Sequence, residues 1–233
     1  METMNSELLE QPVGQLVAEQ PSRSRVFERW GIDYCCGGKR ALSEVCRAKD
    51  LSETAVLEEL ATEDSKSARP ETDLTAEPLD RLCDHIVSTH HEYLREALPR
   101  LSGLTAKVAE RHGPKDARLV ELRDLFEGFR SEMESHLMKE ERILFPAIRA
   151  IEEGGAVHGI SGPVSVMLLE HDDAGADLAK MRELTDGFEP SAGACNTHRA
   201  LLDGLRELEA DTHQHVHKEN NILFPRALAA TAD

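Results

Sequence analysis

Two stretches of the chain repeat the pattern H-x-x-K-E-x-x-I-L-F-P. The first, HLMKEERILFPAI, begins at His136, and the second, HVHKENNILFPRA, begins at His215, 79 residues later. A further histidine precedes each copy by a similar distance, His91 by 45 residues and His171 by 44 residues. Structural repeats bury their apolar sides against one another. The chain is therefore expected to fold around two related helical hairpins.

Amphipathic periodicity predicts four long helices, with no strand-like alternation between them. These predicted helices cover residues 75–99, 115–151, 163–187 and 196–229. The first should end near Pro99, and Pro146 and Pro225 should kink or end the second and fourth, because proline has no backbone donor. Joined by short to moderate connections, the four helices predict an all-α fold, an up-down-up-down four-helix bundle.

A small helical module is predicted ahead of the bundle. Its short helical patterns cover residues 13–19, 22–30, 39–48 and 52–61. The next stretch is polar, contains Pro70 and lacks apolar periodicity, which indicates a linker. The predicted organisation is a module at 1–62, a linker at 63–73 and the bundle at 74–233.

Composition limits the partners. The chain has 27 Lys and Arg against 44 Asp and Glu, a net charge of −17, which argues against nucleic acid and anionic membrane surfaces as partners. No run of about 18 apolar residues indicates a membrane span, and the acidic start METMNSELLEQPVGQ does not resemble a signal peptide. We expect a cytoplasmic protein with its five cysteines reduced. Both a monomer and a homodimer are compatible with the sequence.

The repeated histidines fall on apolar faces of the predicted helices. His136 stands in a heptad-like series with Phe129 and Ile143, and His171 and His215 stand in similar series. Side chains at this spacing lie on one face of a helix. These imidazoles are therefore expected to point into the bundle.

Glu140 and Glu219 follow two of these histidines by four residues and share their helix faces. On the first helix His90 and His91 occupy neighbouring stripes, and periodicity alone leaves the choice between them open. Carboxylates in an apolar core are normally paired or bind metal. Four imidazoles and two carboxylates would hold two divalent metals, and nitrogen and oxygen ligands suit iron, with manganese as the alternative. Zinc is disfavoured because its H-E-x-x-H spacing is absent.

Other histidines and two cysteines receive simpler interpretations. Surface positions are predicted for His85, His158, His198, His213 and His217. His112, near the first helix connection, is a candidate to support the ligands or to line the entry to the site. Cys83 and Cys195 are interpreted as small apolar residues or incidental thiols.

The stretch GIDYCCGGKR places Cys35 and Cys36 side by side, ahead of two glycines. Glycine allows backbone angles that other residues avoid, and a helix should begin in KRALSEV. Near a helix N-terminus and close to Lys39 and Arg40, the thiols should ionise readily, and the thiolate is the reactive form. We expect them to deliver electrons to the metal centre, to gate its access, or to handle iron or nitrosyl species. A tight turn in which the thiols merely pack is the alternative.

Several motifs together resemble one family over nearly the whole chain. FERWGIDYCCGGK, EHDDAGADL and ENNILFPRAL, with the repeated H-x-x-K-E-x-x-I-L-F-P, are similar to the iron–sulfur cluster repair di-iron proteins, the Ric family. The resemblance implies a CCGG module followed by a hemerythrin-like bundle with a non-haem di-iron centre and two bridging glutamates. By motif, its ligands would be His91, His136, Glu140, His171, His215 and Glu219. It favours His91 over His90 because the family's histidine lies five residues before E-x-L-P, which begins at Glu96.

The resemblance implies a stress-response role in repairing iron–sulfur clusters damaged by nitric oxide or oxidants. Repair would proceed by iron donation, by nitric oxide reduction, or by both, so whether the protein is an enzyme is open. Its partners would be damaged iron–sulfur proteins and the small molecules NO or O2. One alternative is a hemerythrin-like protein that binds or senses oxygen or nitric oxide without repair activity. Metal storage is disfavoured because one dinuclear site stores little iron.

Overall fold

The computed structural model describes residues 2–66, 74–155 and 159–231, with side chains from residue 6 onward. Within these ranges the chain is helical and contains no strand. Backbone contacts divide it into two compact units: Met1–Leu82 with Val216–Asp233, and Cys83–His215. In this division, the C-terminal end of the last helical run belongs to the same unit as the N-terminal helices.

Five short α-helices and one 3-10 turn form the N-terminal part. They are α1 Glu2–Glu10, α2 Val13–Glu19, the 3-10 turn Pro21–Arg23, α3 Ser24–Arg29, α4 Leu42–Ala48 and α5 Glu53–Lys66. Their apolar side chains meet in one core that includes Leu16, Phe27 and Leu60. Helix α5 continues through the predicted start of the linker, because Glu63 is buried and pairs with Arg25 at 3.3 Å. Residues 67–73, the rest of the predicted linker, lie outside the described ranges.

Four long helical runs follow, as predicted. They comprise α6 Leu79–Ile86 with α7 Glu92–His112, α8 Arg118–Lys139 with α9 Phe145–Glu152, α10 Ser161–Leu184, and α11 Asn196–Lys218 with α12 Phe224–Ala230. Helix α8 packs against both α7 and α10. Because short connections join these neighbours, consecutive helices run antiparallel. No helix in the described ranges is long and apolar enough to cross a membrane.

Three of these runs contain a π-helical segment. The segments are Val87–His91, Glu140–Leu144 and Glu219–Leu223. Each π turn holds one more residue than an α turn, which shifts the positions that follow around the helix. The predicted core residue Ile143 is therefore 60% exposed, while Leu144 is 2% exposed.

Pro146 and Pro225 neither end their helices nor stand in an α-helical interior. Each lies in the first turn of the α-helix that follows a π segment. At that position the missing N–H of proline is least costly. The helical runs therefore continue through both prolines, so of the two expected outcomes, a kink or an end, the helices do not end there.

Helix α7 continues through Pro99, where the sequence predicted its end. The neighbouring Leu98 and Leu101 are buried in the core, and their packing outweighs the hydrogen bond that proline cannot make. Pro99 itself is exposed. Pro99→Ala is therefore expected to raise the free energy of unfolding by about 1–2 kcal/mol, after allowance for the more flexible unfolded chain.

Urea unfolding followed by circular dichroism measures this change. Glu96→Ala, at an exposed position of the same helix, is the control and should alter stability by less than about 0.5 kcal/mol. A Pro99→Ala variant that is no more stable than the wild type would contradict the expectation.

Candidate metal centre

Five buried side chains of metal-ligand type converge within the unit Cys83–His215. They are supplied by the π segment before α7, by α8 and the π segment after it, by α10 and by α11. None is more than 3% exposed. These residues are His91, His136, Glu140, His171 and His215.

The imidazoles approach one another in two pairs. His91 Nε2 lies 3.2 Å from His215 Nε2, and His171 Nε2 lies 3.2 Å from His136 Nε2. Glu140 Oε2 is close to both pairs, at 3.3 Å from His91 Nε2 and 3.4 Å from His136 Nε2. The cluster thus consists of two three-residue sets that share one carboxylate, and the ligand atoms of each set lie within 4.8 Å of one another.

Carboxylates hold the outer nitrogen of two of these imidazoles. His91 Nδ1–H donates to Glu141 Oε1 at 2.6 Å, and His136 Nδ1–H donates to Glu170 Oε2 at 2.9 Å. This partner favours the tautomer in which Nε2 carries a lone pair. Lone pairs that converge on other nitrogens and on a carboxylate repel unless a cation lies among them. The donor set therefore fits a pair of metal ions.

Both supporting carboxylates are held in the charged form. Burial raises the pKa of Glu141, but hydrogen bonds from its histidine and from Arg95 lower it more, so that the pKa lies below its ordinary value. For Glu170, the pKa is likewise raised by burial and lowered more strongly by Lys139 and the bonded histidine. A charged acceptor at Nδ1 makes the imidazole a stronger metal ligand.

Removing either carboxylate charge is expected to weaken metal binding without removing a ligand. Glu141→Gln and Glu170→Gln should each reduce metal affinity by about 10- to 100-fold, the usual effect of losing the partner of a metal-binding histidine. Competition with a chromophoric chelator measures the affinity. Glu134→Gln on α8, which removes an exposed pair with Arg130, is the matched control. Affinities within about twofold of the wild type for both variants would contradict this role.

Glu219 occupies the same place in the second copy of the repeat. It is fully buried, and it begins the π segment one turn beyond His215 in an uninterrupted helical run. Glu140 stands in the same relation to His136 and also begins a π segment. Both copies thus place a buried glutamate one turn after their histidine.

The structure distinguishes the two neighbouring histidines of the first long helix. His90 is 2% exposed, but its Nδ1 lies 2.8 Å from Asp211 Oδ1. Its ring stacks on that of His215, with centroids 5.4 Å apart and an interplanar angle of 6°. His91, in contrast, directs Nε2 at Glu140. The geometry places His91 in the cluster and His90 beside it.

The prediction that His217 is a surface residue is wrong. His217 is 2% exposed, packs edge-on against the ring of Tyr34 and donates from Nδ1–H to the Tyr34 carbonyl at 3.3 Å. Burial lowers its pKa to about 4, despite the opposing effect of that hydrogen bond. Periodicity within one helix does not show that another part of the chain covers a side chain.

The remaining candidates lie outside the cluster. His112 Nε2 lies 3.3 Å from the exposed thiol of Cys195, and its ring lies 5.9 Å from that of His198. Neither contact is with a residue of the cluster, so the structure does not support a place for His112 at the entry to the site. Cys83 is buried, as expected for a small apolar residue. His85 and His213 are partly exposed, and residue 158 lies outside the described ranges.

The turn that carries Cys35 and Cys36 is organised by Asp33. Asp33 Oδ1 accepts hydrogen bonds from the backbone N–H groups of both cysteines at 3.0 Å, and Oδ2 accepts one from Gly37 at 2.9 Å. The Cys35 thiol donates to the same carboxylate at 3.2 Å. Cys36 is partly exposed, and both cysteines are free thiols.

The expectation that Cys35 ionises readily is wrong. A hydrogen bond with Cys36, burial, and the charges of Cys36 and Asp33 raise its pKa well above the ordinary value. Lys39 and Arg40 are exposed instead, and α4 begins only at Leu42. The nearest charged group is therefore a carboxylate rather than a cation, which disfavours the thiolate.

Long antiparallel helices around a shared histidine and glutamate cluster define the hemerythrin-like class of metal-binding proteins. The family model described as hemerythrin HHE cation binding domain matches residues 82–227. ScdA_N, described as a domain of unknown function (DUF542), matches residues 9–64. The chain belongs to the hemerythrin HHE cation binding family and carries an N-terminal ScdA_N domain.

The chain is also similar over nearly its whole length to proteins named iron-sulfur cluster repair protein YtfE. It is 42% identical to that of Edwardsiella ictaluri over 219 residues, which cover 94% of this chain and 97% of the relative. It is 40% identical to that of Pectobacterium atrosepticum over 222 residues and 38% identical to that of Escherichia coli O8 over 221 residues, with the same coverage of both chains. Both the bundle and the CCGG module are thus shared with these relatives.

Proposed function

We propose that this protein repairs iron–sulfur clusters damaged by nitrosative or oxidative stress, using a non-haem di-iron centre. The observation that carries the proposal is the pair of imidazole sets that share Glu140. These sets occur in a chain that matches named repair proteins over 94% of its length. The partners are damaged iron–sulfur proteins, and the site of action is the cytoplasm.

Each iron would have one set of protein ligands. His91 and His215 would hold the first iron, His136 and His171 would hold the second, and Glu140 would be shared by the two sets. Glu219 would be the second glutamate shared by the two irons, a role supported by its full burial and by its position one turn after His215. This ligand set would leave room for a solvent-derived ligand and for an external ligand such as NO or O2.

Bound iron supplies a redox-active Lewis acid in a buried site. The chain's own residues set how tightly the iron is held. Neutral imidazoles limit the negative charge around it, while Glu141 and Glu170 keep a proton on Nδ1 and fix two ring orientations. A carboxylate such as Glu140 can bind metal in more than one way, which would suit a site that releases iron as cargo or admits nitric oxide. Cys35 and Cys36 are the thiol pair that serves this centre.

Mixing the reduced, iron-loaded protein with an apo-cluster enzyme, with and without a ferrous chelator, tests the proposal. Donation predicts recovery of the client enzyme, loss of iron from this protein, and suppression by the chelator. Recovery that depends on nitric oxide removal, with iron retained, would favour reduction over donation. Reversible gas binding without any recovery would favour the hemerythrin-like binding protein and overturn repair.

Metal analysis with Mössbauer spectroscopy tests the centre itself. Two irons per chain with a coupled spectrum are expected. One zinc ion per chain would overturn the di-iron proposal, because the two ligand sets that share Glu140 would then hold only one metal ion.

A further inference from the structure

The two copies of the repeat differ at positions that have different environments. Where the first copy has Met138 and Arg142, the second has His217 and Asn221. Met138 is 45% exposed, and Arg142 is also exposed. His217 is 2% exposed and Asn221 is partly buried. The second copy therefore has His217 and Asn221 at two covered positions where the corresponding residues of the first copy face solvent.

Both side chains contact the turn that carries the cysteines, inside the unit formed by Met1–Leu82 and Val216–Asp233. Asn221 Nδ2 donates to the carbonyl of Cys35 at 3.0 Å and to that of Tyr34 at 3.3 Å. His217 Nδ1 donates to the same Tyr34 carbonyl at 3.3 Å. The last helical run thus supplies the donors for two consecutive carbonyls of the turn.

Two glycines make this approach possible. A Cβ atom on Gly14 would lie 2.4 Å from Asn221 Oδ1, and one on Gly38 would lie 2.3 Å from it. The Gly14 N–H also donates to the Gly38 carbonyl at 2.8 Å. Neither glycine has a positive φ angle, so the need is for space rather than for special backbone angles. Gly37, the other glycine of the CCGG motif, also lacks a positive φ angle, so the expectation that these glycines provide backbone angles closed to other residues is wrong.

We infer that Asn221 is the positioning residue of the Cys35–Cys36 turn, with His217 as its partner. The two side chains hold the turn against the helical run that carries Glu219 and keep the Cys35 thiol buried. The functional part of this inference rests on the proposed role of the thiols in serving the di-iron centre. The structural part, the burial of Cys35, stands on the contacts alone.

Exchange of residues between the two copies tests the structural part. The double variant His217→Met with Asn221→Arg introduces the first copy's residues, which that copy carries at the same helical positions. Loss of three hydrogen bonds to the turn should make local opening easier. We expect iodoacetamide to alkylate Cys35 at least about tenfold faster, as measured by peptide mass spectrometry. The reverse exchange, Met138→His with Arg142→Asn, is the matched control and should leave the rate unchanged.

Two single variants complement the exchange: Asn221→Asp tests the hydrogen bonds to the turn, and Gly38→Ala tests the close packing around it. Asn221→Asp preserves shape but cannot donate to the carbonyls, so it should accelerate Cys35 alkylation in the same way. Gly38→Ala should do so by displacing the Asn221 side chain and the Tyr34 carbonyl, which its Cβ would approach to 2.3 and 2.7 Å, whereas Gly128→Ala, whose Cβ would meet nothing within 4 Å, should not. A wild-type Cys35 rate in the exchange variant and in Asn221→Asp would overturn the inference.

Iron content and repair test the functional part. The Asn221 variants should retain the wild-type iron content and Mössbauer spectrum, because Asn221 is not a ligand, but repair the client enzyme about tenfold more slowly. Faster alkylation with unchanged repair would overturn the positioning role. A wild-type protein that holds no iron would instead contradict the proposed function, while the alkylation result would still report on the turn.

Discussion

Glu140→Gln is expected to abolish stable binding of both irons of the proposed di-iron centre. Glu140 Oε2 lies within 3.4 Å of an imidazole from each pair, and the side chain is fully buried. A neutral amide removes the charge that the two sets share and offers a poorer ligand to each metal. Because one residue serves both sets, we expect the iron content to fall from two per chain to near zero, rather than to one.

Iron analysis after gel filtration measures this loss, and thermal unfolding provides a second measurement. A ligand that binds only the folded state stabilises it by about 4 kcal/mol when its free concentration is about 1,000 times its dissociation constant. The rise in Tm on adding ferrous iron should therefore disappear in Glu140→Gln and persist in the control Glu134→Gln. Retention of two irons by Glu140→Gln would show that the carboxylate is not shared.

The candidate ligand cluster could be predicted from the sequence because the pattern that encodes it is local and repeated. His136 and Glu140 are four residues apart, as are His215 and Glu219, so each pair shares a helix face wherever the helices lie. Recurrence of the pattern after 79 residues indicated a common interior. The observed convergence of five of the six predicted residues within one unit follows from these spacings.

Local departures from α-helical geometry could not be predicted from the sequence in the same way. Periodicity assumes a constant number of residues per turn, but the π segment Glu140–Leu144 adds one. Ile143 therefore lies outside the core that its spacing predicted, and Leu144 lies inside it. Pro99 shows a related limit, since tertiary packing overrides its tendency to end a helix.

Long-range contacts account for the remaining differences. His217 and Cys35 are separated by more than 180 residues, yet each is buried where the other's segment packs. No pattern within either segment predicts that the other segment packs on it. The raised pKa of Cys35 has a local cause besides burial, because the turn places the thiol beside Cys36 and Asp33.

A comparison of His91→Ala with His90→Phe is the strongest test of which neighbouring histidine binds iron. His91 Nε2 lies 3.2 Å from His215 Nε2 and 3.3 Å from Glu140 Oε2. His91→Ala should therefore remove a ligand from the first set and lower the affinity of that iron by at least about 100-fold, more than the loss of a supporting partner would. The Mössbauer spectrum should lose its coupled di-iron signal.

His90→Phe should retain two irons and the coupled signal. The phenyl ring can maintain the stack on His215, and the Asp211 carboxylate that bonds His90 has a partly exposed side chain. The two histidines are adjacent and equally buried, so a general loss of stability would affect both variants alike. Only direct ligation by His91 predicts that one variant loses iron while its neighbour keeps it, and the reverse outcome would assign the ligand to His90.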